Sequence, residues 1–173
     1  MPRPPRLQFP YGVYHMTSRG VDGRFVFMDD ADRQLFLVYL CRVVHAFDWS
    51  LHVYCEMGNH FHLIAECGQP GLSRGMQRLN GAYASAFNAR YRRDGHLFQR
   101  RFEAWAIEDD DYLEDAIQYV RNNPVRAGLC ARADAWPWSG RGADLGRYAR
   151  AGQVPRTTRR VRSGVRPIPV TSS

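Results

Sequence analysis

The chain alternates short apolar-rich runs with longer segments whose apolar residues recur every three or four positions. Residues 12–19 (GVYHMTSR) are rich in strand formers and stop at Gly20, which predicts a first strand. A helix follows, capped near Asp29 or Asp30, with Phe36, Leu40, Val43 and Phe47 at helical spacing. Residues 51–57 (LHVYCEM) and 60–66 (HFHLIAE) read as two strands of a hairpin joined at Gly58-Asn59. Leu72, Met76, Leu79, Tyr83, Phe87 and Tyr91 form a stripe that predicts a second helix over 72–93, and 101–108 (RFEAWAIE) reads as a fourth strand. A third helix spans Asp110 to Asn122, its acidic start (Glu108 to Asp111) matching the helix dipole. Asn123-Pro124 predicts its end, because a residue before proline is pushed out of the helical region.

The resulting order is β-α-β-β-α-β-α. Its first six elements are the split βαβ, ferredoxin-like arrangement of the α+β class: an antiparallel sheet with two helices on one face. The third helix is a C-terminal addition that must dock on that sheet. Residues 1–10 hold four prolines and read as an extended arm, 11–140 as the folded domain. From 141 to 173 the only aromatic residue is Tyr148, so this stretch reads as a disordered tail.

At 173 residues one domain can bury a core without a disulfide or a structural metal. No apolar run is long enough to span a bilayer and no leader peptide is evident, so no membrane partner is expected. Cys41, Cys55, Cys67 and Cys130 are widely spaced with no C-x-x-C, which points to reduced thiols in a cytoplasmic protein. Charge changes the picture more. The net charge is +7 and every basic residue is arginine. Residues 141–173 carry eight arginines against Asp144 alone, leaving sixteen arginines and sixteen acids in residues 1–140. Arginine forks onto phosphate and guanine, which favours a nucleic-acid partner and assigns the tail to phosphates; a GC-rich genome would also remove lysine.

His60-Phe61-His62 is the sharpest local signal. On a strand both imidazoles face one side while Phe61, Leu63 and Ala65 face the core. Such a pair can hold one divalent metal or line a solvated face. Cys55 and Cys67 flank it as C-x4-H-x-H-x4-C, but Cys67 has the opposite parity, which disfavours a tetrahedral zinc site. A two-residue hairpin turn would set Val53, Cys55 and Met57 beside the histidines; a three-residue turn would set His52, Tyr54 and Glu56 there. The second keeps polar residues together and is the expected register, with Glu56 a candidate metal neighbour. In the third helix Leu113, Ala116, Ile117 and Val120 form the apolar stripe, with Tyr119 on its flank and Asn123 one turn on. Arg74 and Arg78 lie one turn apart on the second helix, and Arg90, Arg92, Arg93, Arg100 and Arg101 follow with Tyr91, His96 and Phe98 interleaved. This pattern suits phosphates and unpaired bases, or a solvated helix end.

Together, six stretches resemble one family. They are YHMTSRG from Tyr14, CEMGNHFHL from Cys55, LSRGMQRLN from Leu72, GHLFQRRF from Gly95, YVRNNPVRAG from Tyr119 and WPWS from Trp136. In this order they resemble the single-tyrosine HUH transposases, in particular the REP-associated tyrosine transposases. One departure is Gly58, where the family commonly has proline; a looser turn would hold His60 less rigidly. The resemblance implies binding of hairpin DNA and cleavage of single-stranded DNA beside it. It makes Tyr119 the nucleophile and His60, His62 and Asn123 the metal ligands. The product would be a 5′-phosphotyrosine and a free 3′-hydroxyl. Mg²⁺ and Mn²⁺ both suit such a ligand set. Monomer and homodimer are both compatible with it. The alternative is a hairpin-DNA-binding protein that has lost transposition, and a zinc-stabilised regulatory domain is a third reading. All four site residues are present, which places catalysis first.

Overall fold

Strands β1 (Gly12–Arg19), β2 (Ser50–Glu56), β3 (His60–Cys67) and β4 (Glu103–Ile107) form where the apolar alternation predicts them. They belong to a computed structural model that describes residues 10–68 and 71–149. A two-residue strand, β5 (Ser139–Gly140), completes one sheet of order β4-β1-β3-β2-β5, with antiparallel pairings throughout. This is the expected ferredoxin-like α+β arrangement. Helix α1 (Asp30–Ala46) carries the chain from β1 to β2, so that β3 inserts between them, and α2 (Gly71–Tyr91) carries it from β3 to β4.

The two faces of the sheet have different cores. On one face Met16, Phe61, Leu63 and Ala65 meet Phe36, Leu37 and Leu40 of α1 and Met76, Leu79 and Tyr83 of α2, all nearly inaccessible. Phe36 is the hub: its ring lies 4.6 Å from Phe61 and 5.3 Å, edge-on, from Tyr83. On the other face Val53, Cys55, Met57 and Ile64 receive Ala116 and Val120 of α3 (Asp110–Arg126) in a much smaller cluster. The added third helix therefore docks on the sheet face that α1 and α2 leave open.

Helix starts follow the expected capping. The Asp29 carboxylate accepts from the Asp32 amide at 3.0 Å, and the Asp109 carboxylate from the Asp111 amide at 2.7 Å. The predicted end of α3 at Asn123-Pro124 does not hold, because the helix continues to Arg126 with Pro124 inside it. The stop signal comes from Gly128 (φ +70°). The Gly128 amide donates to the Val125 carbonyl at 3.0 Å and the Leu129 amide to Pro124 at 2.8 Å, the Schellman closure that glycine in a left-handed conformation permits. Asn123 is thereby a helical residue, one turn from Tyr119.

The tail boundary also moves. Residues 142–145 form a 3-10 turn that continues into α4 (Gly146–Ala149); Leu145 is buried and Tyr148 packs on the α1/α2 core. The expected tail thus has an ordered beginning. Its remainder beyond residue 149, and the arm expected over residues 1–10 apart from Pro10, lie outside the described residues. No described helix is long and apolar enough to cross a membrane.

Candidate active site

The site face of the sheet is assembled by register. Thr17 of β1 lies opposite both His62 of β3 and Glu103 of β4, and Arg19 lies opposite His60. His15 lies two residues before Thr17, on the same face, opposite Trp105 of β4. The expected parity holds: His60 and His62 share this face, their rings 4.9 Å apart and edge-to-face, while Phe61 is buried in the opposite core. Cys67 also belongs to that opposite core, so the symmetric cysteine-histidine spacing does not converge on one point. No group of three or more His, Cys, Asp or Glu able to hold a metal occurs among the described residues.

The hairpin register differs from the expectation. The Met57 amide donates to the His60 carbonyl at 2.9 Å and Cys55 pairs with His62, which leaves Gly58-Asn59 as a two-residue turn. Cys55 and Met57 therefore flank the histidines. Glu56 faces away, wholly buried with Oε2 4.0 Å from the Arg33 guanidinium. It is not a metal neighbour. The polar grouping that favoured the three-residue turn fails because Glu56 has its own buried arginine, and Arg33 in turn lies 5.1, 5.4 and 5.6 Å from the rings of Phe27, Trp136 and Trp138. Burial pushes the Glu56 carboxyl well above the ordinary carboxylate range, against the opposing pull of Arg33.

Electrostatics keep the imidazoles neutral. Burial, then Arg19, pushes His60 down to about 4. Burial, then His60 and His15, pushes His62 to about 3, and His15 is lowered by burial. Their outer nitrogens are occupied. His60 Nδ1 lies 2.6 Å from the Asn59 side-chain oxygen, which can only accept, so the proton sits on Nδ1 and Nε2 keeps its lone pair. His62 Nδ1 lies 2.9 Å from His15 Nε2; when His62 donates, its Nε2 is free in the same way. Metal-binding imidazoles are oriented by such outer contacts. His15 was not singled out from sequence, although its place on the outward parity of β1 marks it.

Helix α3 brings the remaining two residues. The Tyr119 ring stands edge-on to His62, 6.5 Å between centroids, 45% exposed, with the Arg126 guanidinium 4.8 Å from its centroid. Asn123 Nδ2 donates to the Tyr119 carbonyl at 3.1 Å, which leaves its amide oxygen available as a ligand. Tyr112 sits two turns earlier, about 10 Å along the axis. Two neutral imidazole nitrogens and one carboxamide oxygen, close to a phenol, form a donor set that fits a divalent ion with open positions.

The sequence matches a known family. The family model described as "Transposase IS200 like" covers residues 11–123, a span that holds β1 through Asn123 and all four site residues. The chain belongs to the IS200-like transposase family. Among solved structures, the transposase matches a REP-associated tyrosine transposase bound to a REP hairpin, with a TM-score of 0.68 and 19% identity over 98% of this chain and all of the other. A provisionally named transposase from Deinococcus radiodurans aligns with a TM-score of 0.46 and 17% identity over 70% of this chain and 97% of the other. No curated protein matches the sequence at a significant level.

The expected DNA-facing arginines of the transposase divide into separate groups. Arg100 and Arg101 are exposed and, with Arg19, Thr17 and Glu103, line a cleft of about 250 Å³ beside the histidines. The cleft exists because four residues, Gln99 to Phe102, loop out against only Ser18 and Arg19 between the Gly20–Phe98 and Thr17–Glu103 pairings. Arg74 and Arg78 are exposed on α2, on the helical side of the sheet. Arg92 (φ +50°) and Arg93, over the Phe87 ring at 5.6 Å, follow that helix. Arg90 is not part of an open cationic surface. Its guanidinium donates to Asp29 at 2.6 and 2.8 Å and to buried Asp32 at 2.5 Å, tying the end of α2 to the start of α1.

Proposed function

We propose that this transposase cuts and rejoins single-stranded DNA beside a hairpin, with Tyr119 as nucleophile and His60, His62 and Asn123 as ligands of one Mg²⁺ or Mn²⁺. The observation that carries this reading is the edge-on approach of Tyr119 to His62, with Asn123 fixed one helical turn away. The ion would supply neutralisation of charge developing on the phosphate oxygens. The chain does the rest. His60 and His62 present unprotonated Nε2 atoms, held by Asn59 and His15. Tyr119 Oη forms a bond to phosphorus as the bond from phosphorus to the 3′-oxygen breaks; the phenol gives up its proton and the leaving oxygen gains one as a 3′-hydroxyl. The 5′-phosphotyrosine keeps the link available for rejoining, with the same residues acting in reverse. Arg19, Arg100 and Arg101 offer phosphate contacts beside this centre. The hairpin substrate is suggested by the fold likeness to a transposase solved with a REP hairpin.

The test is incubation with hairpin DNA carrying single-stranded flanks, plus Mg²⁺ or Mn²⁺, followed by a denaturing gel. Wild type should yield a covalent protein–DNA band and Tyr119→Phe none, while Tyr112→Phe behaves as wild type. An adduct in the Tyr119→Phe variant would overturn the assignment of the nucleophile. Cleavage undiminished by chelator would overturn the ligand set.

A further inference from the structure

Gly58 begins the turn that leads into His60, and the structure shows what this glycine admits. A Cβ there would lie 2.6 Å from Phe25 Cε1 and 2.8 Å from Cδ1, so the Phe25 ring occupies the space that any side chain at 58 would need. The turn is not loosened by its glycine. Its two carbonyls hold the loop that carries Phe25: Gly58 accepts from the Val26 and Phe27 amides at 3.0 and 3.2 Å, and Asn59 from the Gly20 amide at 2.8 Å. The Asn59 amide nitrogen also donates to the Gly23 carbonyl at 3.1 Å. Phe25 is thus fixed to the same turn whose Asn59 side chain orients His60, yet it remains 52% exposed.

Two exposed arginines, Arg19 and Arg24, precede Phe25 in sequence, with Asp22 the one acid between them. The Arg19 guanidinium reaches the Gly23 end of this loop and also lines the cleft beside the histidines. Aromatic rings interleaved with arginine recognise unpaired nucleotides: bases stack on the ring and the guanidinium groups hold the intervening phosphates.

We infer that Phe25 is a stacking platform for one unpaired base of the DNA strand, next to the phosphate held at His60 and His62, with Arg24 and Arg19 on the adjoining phosphates. This rests on the DNA-cleaving function proposed above and adds a contact residue and a specific ligand group to it. Stacking is tolerant of base identity, so the platform fixes the position of the strand and leaves sequence choice to other contacts.

The experiment uses the full chain in chelator, so that cleavage plays no part. A hairpin with a single-stranded flank carries 2-aminopurine at successive flank positions, and both its fluorescence and its binding isotherm are followed. Wild type should quench the probe at one position. Phe25→Ala should lose that quenching and weaken binding roughly 5- to 150-fold, the range for removing one base-stacking ring. Phe25→Trp should retain both. Phe25→Leu, which refills the space against Gly58 without a π face, should behave like alanine and separates stacking from packing. Gly58→Ala should displace the ring and reproduce the loss, with no further loss in the double variant. Unchanged quenching and affinity in the Ala and Leu variants would overturn the inference while leaving DNA cleavage intact. Wild-type protein that binds the DNA neither in chelator nor with Mg²⁺ would overturn the proposed function, and this inference with it.

Discussion

Replacing Arg90 with methionine separates two roles that the sequence left joined, a DNA contact and an internal clamp. Asp32 has a side-chain exposure of 1%, and Arg90 of 32%, so the carboxylate is buried and its partner is partly wet. Methionine keeps most of the aliphatic stem and removes the fork. Asp32 then retains only the Tyr91 hydroxyl at 2.8 Å and the Met28 amide at 2.9 Å. Breaking a fully buried pair costs about 3–5 kcal/mol, and the exposure of Arg90 places this one lower, at about 2–3 kcal/mol. For a chain of this size that corresponds to a fall in Tm of about 4–12 °C. The pH dependence has a definite sign. The Arg90 hydrogen bond is the main cause that depresses the Asp29 carboxyl, with burial opposing it. The wild-type advantage over Arg90→Met should be complete above the ordinary aspartate pKa near ~3.9 and shrink as the pH falls through the lower folded-state value. Urea melts at pH 7 and pH 3, alongside binding of hairpin DNA at pH 7, measure both effects. A variant with wild-type stability and markedly weaker DNA binding would refute the clamp and restore Arg90 to the DNA surface.

Three further outcomes are expected. Phe61→Ala should lose roughly 3–5 kcal/mol of stability, because its ring is central to the larger core, whereas His60→Ala and His62→Ala should melt close to wild type and lose metal-dependent cleavage. Glu56→Gln should match wild type near pH 4 and exceed its stability at pH 7.5. Folding raises the Glu56 pKa, so the wild type loses stability as the pH climbs past the unfolded carboxyl value; a glutamine variant less stable at pH 7.5 would mean that the Arg33 pairing outweighs burial. His15→Phe keeps a ring beside Trp105 but removes the acceptor facing His62 Nδ1, and should weaken Mn²⁺ binding about 10- to 100-fold by calorimetry; unchanged affinity would show that His62 is oriented without it.

Local periodicity carried the reading of the fold. Long stripes such as Leu72 to Phe87 and the alternation around Phe61 are imposed by burial on one side, so they survive into the structure unchanged. Single-residue signals fared worse where two competed. Asn123-Pro124 suggested a helix stop, but a proline in the last turn forfeits only one amide, and Gly128 four residues on offered the better closure. The hairpin register was misjudged because grouping polar residues assumed that Glu56 faced solvent, and only the approach of Arg33 from α1 makes its burial tolerable. β5 had no readable signal: two residues have no period, and their pairing with Tyr54 and Cys55 is tertiary. Leu145 and Tyr148 were hidden for the same reason, as isolated apolar residues in basic surroundings. The site itself was legible as parts. That His15 completes it required knowing which strand lies beside β3.

The unequal cores on the two sides of the sheet have a consequence for motion. His60 and His62 sit on the central strand of five, with hydrogen-bonded neighbours on both sides and the larger core beneath, whereas α3 is seated on a small cluster in which only Ala116, Val120 and Pro124 of the helix are buried. Amide protons of β3 should exchange only when the whole domain opens, and those of α3 through a cheaper local detachment. Tyr119 and Asn123 share one turn of that helix, so they leave and return together. With Tyr119 as the nucleophile proposed above, a DNA end joined to it would be carried away from the histidines, and brought back for the reverse reaction, without disturbing the sheet that holds them.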